Sequence, residues 1–106
     1  MAWFYLLTAG ALEIFWAAFL KLSHGFTRPL FSVITILGML ASFLFLSQAT
    51  KTLPLGTSYA IWTGIGAIGA VVVGVLVFKE PLTGPRILFT ALLLTGILGL
   101  KLTAPQ

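Results

Sequence analysis

The chain has 106 residues, 59% apolar and only 8% charged, whereas soluble domains carry about 25% charged residues, so a water-soluble globular fold is excluded. With no cysteine and a single histidine, disulfide, thiolate and metal-site chemistry are excluded as well, and no cofactor is expected. The net charge of +4 comes from six basic residues scattered singly, which argues against a nucleic-acid partner and for anchoring at the edges of a lipid membrane.

A stretch of roughly 18 apolar residues crosses a hydrocarbon core about 30 Å thick. The chain has room for four such stretches and little else, so the expected fold is an all-α, four-helix transmembrane bundle forming a single domain over residues 1–106. The first span is expected over Ala2–Leu20. It lacks the basic leading segment of a cleaved signal peptide and contains Glu13 and Trp16, so it is read as a retained helix. Lys21-Leu22-Ser23-His24-Gly25 then forms a polar turn in which Gly25 supplies permissive backbone.

The second span is expected over Pro29–Ala49, followed by a connection from Thr50 to Gly56. The third runs over Thr57–Phe78, and Lys79-Glu80-Pro81-Leu82-Thr83-Gly84 turns the chain into the fourth, Pro85–Leu100. Pro29 and Pro85 fall at first-turn positions that tolerate proline, while Pro54, Pro81 and Pro105 fall in loops or the tail.

Four crossings put both termini on one side. Lys21, Arg28, Lys79 and Arg86 then lie on the side of loops 1 and 3, opposite Lys51 and Lys101. A bias this small, softened by Glu80, specifies orientation weakly, so insertion in both directions is physically reasonable. An antiparallel homodimer of oppositely inserted copies would supply the inverted symmetry that many transporters obtain from internal repeats. A lone four-helix bundle is too thin to enclose a hydrated cavity, which also points to an oligomer.

Glu13 lies near the middle of the first span, where a charge costs about 2.5 to 3.5 kcal/mol and marks an ion or proton pathway. Helical spacing groups Leu6, Ala9, Gly10, Trp16, Ala17 and Leu20 around its face, leaving room for a ligand. In the second span Ser32, Thr35, Met39 and Ser42 draw a weakly polar stripe. Ser42 is a candidate donor to Glu13, the alternative being that these hydroxyls bond back to the preceding turn. In the third, Tyr59, Trp62, Thr63 and Gly66 share a face, and the two aromatic rings can attract a cation. Gly10, Gly64, Gly66 and Gly69, with Ala70 and Gly74, permit close helix packing or a hinge. Ala91, Thr95, Gly96 and Gly99 of the fourth span form a small-residue seam suited to dimer contact. Lys101 is placed to snorkel, and Glu80 to pair with Lys79 or Arg86.

Three segments carry a family resemblance: Gly10-Ala11-Leu12-Glu13-Ile14-Phe15-Trp16, Lys21 through Arg28, and Leu53 through Gly66. Together they resemble the small multidrug resistance family over the whole chain. Trp16, three residues after Glu13, and Met39 resemble its guanidinium-exporter subtype, as does Lys101 at the end of the fourth span. The resemblance implies a multi-pass bacterial inner-membrane protein, working as an antiparallel dimer that exchanges a guanidinium-type cation for protons. Glu13 of both copies, Trp16, Ser42, Tyr59 and Trp62 would form its site, with no metal or cofactor. The competing reading is a broader exporter of quaternary ammonium or aromatic cations. A passive channel, a structural subunit or an intramembrane enzyme fits these residues less well, the last because no nucleophile and base pair is present.

Weak orientation bias has a direct consequence: a tag fused to the C-terminus is expected to be accessible from both sides of the membrane. Accessibility from one side alone would remove the antiparallel dimer.

Overall fold

A computed structural model of the chain describes residues 1–103; Ala104 to Gln106, and with them the expected tail position of Pro105, lie outside the described residues. Four helices follow in order: α1 Ala2–Leu22, α2 Pro29–Ala49, α3 Leu55–Leu76 and α4 Gly84–Leu102. At 1.5 Å per residue each is about 28 to 33 Å long, the thickness of a hydrocarbon core. All four are apolar enough to cross a membrane.

Helix is the only solution open to such segments. Val71-Val72-Val73 and Val75 of α3 would favour a strand in water. In hydrocarbon, each backbone N–H and C=O must be paired within its own segment, and a single pass achieves that only as helix. The boundaries differ from expectation by two residues at most. α1 and α4 extend to Leu22 and Leu102, and α3 is shifted to Leu55–Leu76, so Leu55 and Gly56 are helical and Val77 and Phe78 are not.

The ends have local causes. Ser23, fully buried, donates from Oγ to the Leu20 carbonyl at 2.6 Å and accepts from the Phe26 N–H at 3.1 Å. His24, Gly25 and Phe26 then take left-handed backbone angles, Gly25 at φ 71°. Pro29 opens α2, and Thr83 caps α4 by accepting from the Arg86 N–H.

The helices form a puckered row rather than a closed ring. α1 packs against both α2 and α3, α2 touches α3 only slightly, and α4 packs on α3, reaching α1 where Lys101 Nζ lies 5.4 Å from the centroid of the Trp3 ring. The backbone measures 42 × 34 × 16 Å, and Ile97 is the one buried residue of α4. Apolar burial does not drive helices together in lipid, so close approach rests on small residues. A methyl group at Gly10 would stand 2.7 Å from Ile65, and one at Gly69 would fall onto Ile14. Gly64 accommodates Ile97 of α4 in the same manner, and α3 runs unbroken through all its glycines.

Gly69→Val is accordingly expected to lower stability by about 1 to 3 kcal/mol through overpacking of the α1–α3 seam. Gly56→Ala, which meets nothing within 4 Å, should stay within about 1 kcal/mol of the starting protein or gain slightly. Unfolding titrations in mixed micelles measure both.

Candidate functional site

The carboxylate of Glu13 rests on the backbone of α3. A methyl group built on Gly66 would overlap the carboxyl carbon and Oε1, so glycine there leaves the space that the acid occupies. Glu13 Oε1 is shielded and has no hydrogen-bond partner. Among the described residues the ion pairs are those of Glu80 with Lys21 and Arg86, and none reaches Glu13. A proton or a small cation is the complement this group lacks.

Ser42 is fully buried where three helices meet. Its Oγ donates to the Ala9 carbonyl at 2.7 Å and accepts from Trp62 Nε1 at 3.0 Å, tying α2 to α1 and α3. The Ala9 carbonyl also accepts the helical N–H of Glu13, one turn on. The expected donation from Ser42 to Glu13 is therefore not made, since a hydroxyl has one hydrogen and Ala9 holds it. Ser32 and Thr35 bond back to the Arg28 and Phe31 carbonyls, each at 2.7 Å, the silent alternative for this stripe.

Trp16, placed by helical spacing on the Glu13 face, makes no hydrogen bond to it. Its Nε1 is buried without an acceptor, and its Cβ faces α2, where a methyl group on Gly38 would stand 3.0 Å from it. Gly38 drew no notice in the sequence, although it precedes Ser42 by one turn on the same face of α2. Trp62 is 7% exposed and stacks in a three-ring wall, edge-on to Phe43 at 5.7 Å and tilted against Tyr59 at 5.6 Å. Tyr59 is 56% exposed, so the wall is open on one side. Trp62 and Gly66 are one turn apart, which puts the indole and the seat of the carboxylate on one face of α3.

Gly10 and Gly69 face the α1–α3 seam beside Glu13, whereas Gly64 faces α4 and lies outside the site. Two participants escaped the sequence reading. Phe43 is one of nine phenylalanines, and no spacing in the sequence sets it apart. Ser58, fully buried one turn before Trp62, has an Oγ with no partner. Its signal was a hydroxyl residue on the face that also carries Trp62. No three His, Asp or Glu side chains converge among the described residues, so nothing there is arranged to hold a metal ion.

Comparison with known proteins agrees along nearly the whole chain. The family model described as Small Multidrug Resistance protein matches residues 1–93. A protein of Salmonella typhimurium strain LT2 named "Guanidinium exporter" is 53% identical over 104 residues, covering 98% of this chain and 99% of that one. Proteins of the same name from Citrobacter freundii and Yersinia pseudotuberculosis are 52% and 50% identical, over 97% and 98% of this chain and 98% and 100% of theirs.

The Ser42 bridge generates a prediction of its own. Ser42→Ala strands the buried Trp62 N–H, at a cost of about 1 to 3 kcal/mol. The loss should appear as a lower melting temperature together with a changed near-ultraviolet circular dichroism of the Phe43, Tyr59 and Trp62 rings. Ser42→Thr, which keeps the hydroxyl, should retain more of both.

Proposed function

The chain belongs to the small multidrug resistance family, and from that premise we propose that it exports guanidinium across the bacterial inner membrane in exchange for protons, both competing for Glu13. The observation that carries this reading is a carboxylate seated on Gly66 inside a membrane span with no cation paired to it among the described residues. The name borne by relatives about half identical over nearly their full length supports the choice of substrate.

Guanidinium is planar and always charged, and it presents a fork of N–H donors matched to a carboxylate. Glu13 Oε1 is an unmet acceptor suited to that fork, and the Phe43, Tyr59 and Trp62 rings supply faces against which a flat cation can lie. The open side of the aromatic wall suits completion by a second, antiparallel copy that brings its own Glu13. Two carboxylates would then clamp one cation in plane.

Coupling follows from sharing. A site in which two carboxylates stand empty is costly to carry through a closed, water-free intermediate, so the empty carrier resists switching sides. Either protons or the cation remove that cost, and an exchange results in which one leaves as the other enters.

Uptake into proteoliposomes under an imposed pH gradient tests the reading. Guanidinium should accumulate against the proton flow, with less transport of a quaternary ammonium, which offers no donor fork. Glu13→Gln should neither bind nor exchange guanidinium. Uptake by Glu13→Gln at the unsubstituted rate, or flux indifferent to the pH gradient, sinks the mechanism. Quaternary ammonium transport without guanidinium flux would instead favour the broader exporter.

A further inference from the structure

Loop 3 folds back over the end of α3 and locks there through one acidic side chain. Lys79 takes the left-handed conformation at φ 57°, which is strained for a residue with a side chain, and this turn sends the Glu80 N–H onto the Gly74 carbonyl at 2.9 Å. The Glu80 carboxylate then sits on Gly74, where a methyl group would stand 2.5 Å from its Oε1. From this seat Oε2 lies 3.9 Å from Lys21 Nζ at the end of α1, and Oε1 lies 3.7 Å from Arg86 Nη2 at the start of α4. Both cations are steadied in turn: Lys21 Nζ lies 5.2 Å from the centroid of the Phe78 ring, and Arg86 Nη1 donates to the Pro81 carbonyl at 3.0 Å.

Beneath this arrangement is a cleft of about 130 Å³ between α1 and α3, with Ile14, Ala17 and Ala18 on one wall and Ala70, Val73 and Gly74 on the other. Its inner end reaches Ile14, the residue next to Glu13. Lys21, Phe78 and Glu80 close its outer end, at the membrane face formed by loops 1 and 3.

We propose that Glu80 is a latch on the α1–α3 cleft: seated on Gly74 and held by Lys21 and Arg86, it closes the loop 1/loop 3 end, and its release opens the cleft on that face as far as Ile14, which packs on Gly69 beside Glu13. The proposal rests on the transport reading of Glu13, which requires that carboxylate to be reached from each side in turn. The geometry suits a closure that must open repeatedly. Both ion pairs are long and partly exposed, so each is weak and readily broken. One carboxylate serves cations from two different helices, so its departure releases α1 and α4 together. The small walls of the cleft leave space as soon as the side chain moves.

The chain has no cysteine, so Ala17→Cys places a single thiol on the cleft wall. Its reaction with a membrane-impermeant maleimide, measured in proteoliposomes below the unfolding temperature, reports opening. Glu80→Gln and Lys21→Met should each raise the labelling rate about three- to fivefold, the range that weak surface pairs can carry. The double variant should label no faster than Glu80→Gln alone, because both changes break one latch. Lys51→Met, at the opposite membrane face, should leave the rate unchanged. An unaltered rate in Glu80→Gln, or single effects that multiply in the double variant, overturns the latch. Coupled labelling effects in a protein that moves no guanidinium would support the latch and refute the transport reading.

Discussion

The contact between the Glu13 carboxylate and the α3 backbone at Gly66 is the constraint around which the other helices are arranged. An acid at mid-membrane depth is tolerated only when it faces protein, and a side chain of that size fits against a neighbouring helix only where the neighbour has none. Gly10 opposite Ile65 and Gly69 opposite Ile14 extend the same fit one turn to either side. The seam is thus a run of small residues facing large ones, and its centre is the charged group. Helix packing and placement of the acid are one requirement here, because anything that pushes α1 from α3 also moves the carboxylate.

That seam also explains the open row. α1 has close contacts with two helices, leaving α4 to pack on α3 through Gly64 and Ile97. The rest of α4 faces outward with Ile87, Leu88, Phe89, Leu92 and Leu98 exposed, and lipid satisfies such a surface at no cost. The aromatic wall is open for a different reason. Tyr59 lies in the second turn of α3 and stays 56% exposed, its ring tilted against Trp62 of the same helix. The site is bounded on one side by Ser42, Trp62 and Glu13 and open on the other, which leaves room for the second copy proposed above.

The spans were legible in the sequence because hydropathy over some twenty residues is a summed signal, insensitive to detail. Their last residues were not. Leu22 and Leu102 remain helical because capping at Ser23 and Thr103 ends those helices later than composition suggests. Glu13 was legible because a lone acid in an apolar run has few explanations. Arg86 was legible as a partner of Glu80, whereas Lys21 and the partners of Ser42 were illegible for one shared reason. Which acceptor a hydroxyl finds, and which lysine a carboxylate meets, depends on the rotation and depth of neighbouring helices, and the linear pattern does not encode either. Proximity along the chain suggested Lys79 for Glu80, but the left-handed turn at Lys79 carries Glu80 back to Lys21 across the bundle.

The hydrogen bonds divide the site into a fixed part and a free part. Ser42 has used its hydrogen on Ala9, and Trp62 has used its N–H on Ser42, so these groups hold the three helices and the aromatic wall in register. Glu13 Oε1 and Trp16 Nε1 are shielded yet uncommitted, an acceptor and a donor one turn apart on α1. A buried polar atom without a partner is costly, and here the cost falls on groups that a ligand can satisfy. Were Glu13 bonded to Ser42 or Trp16 within the chain, any incoming donor would first have to displace an existing bond. Leaving Glu13 Oε1 unpaired while spending the neighbouring hydroxyl on backbone keeps the carboxylate available to an incoming donor, which the proposed exchange requires.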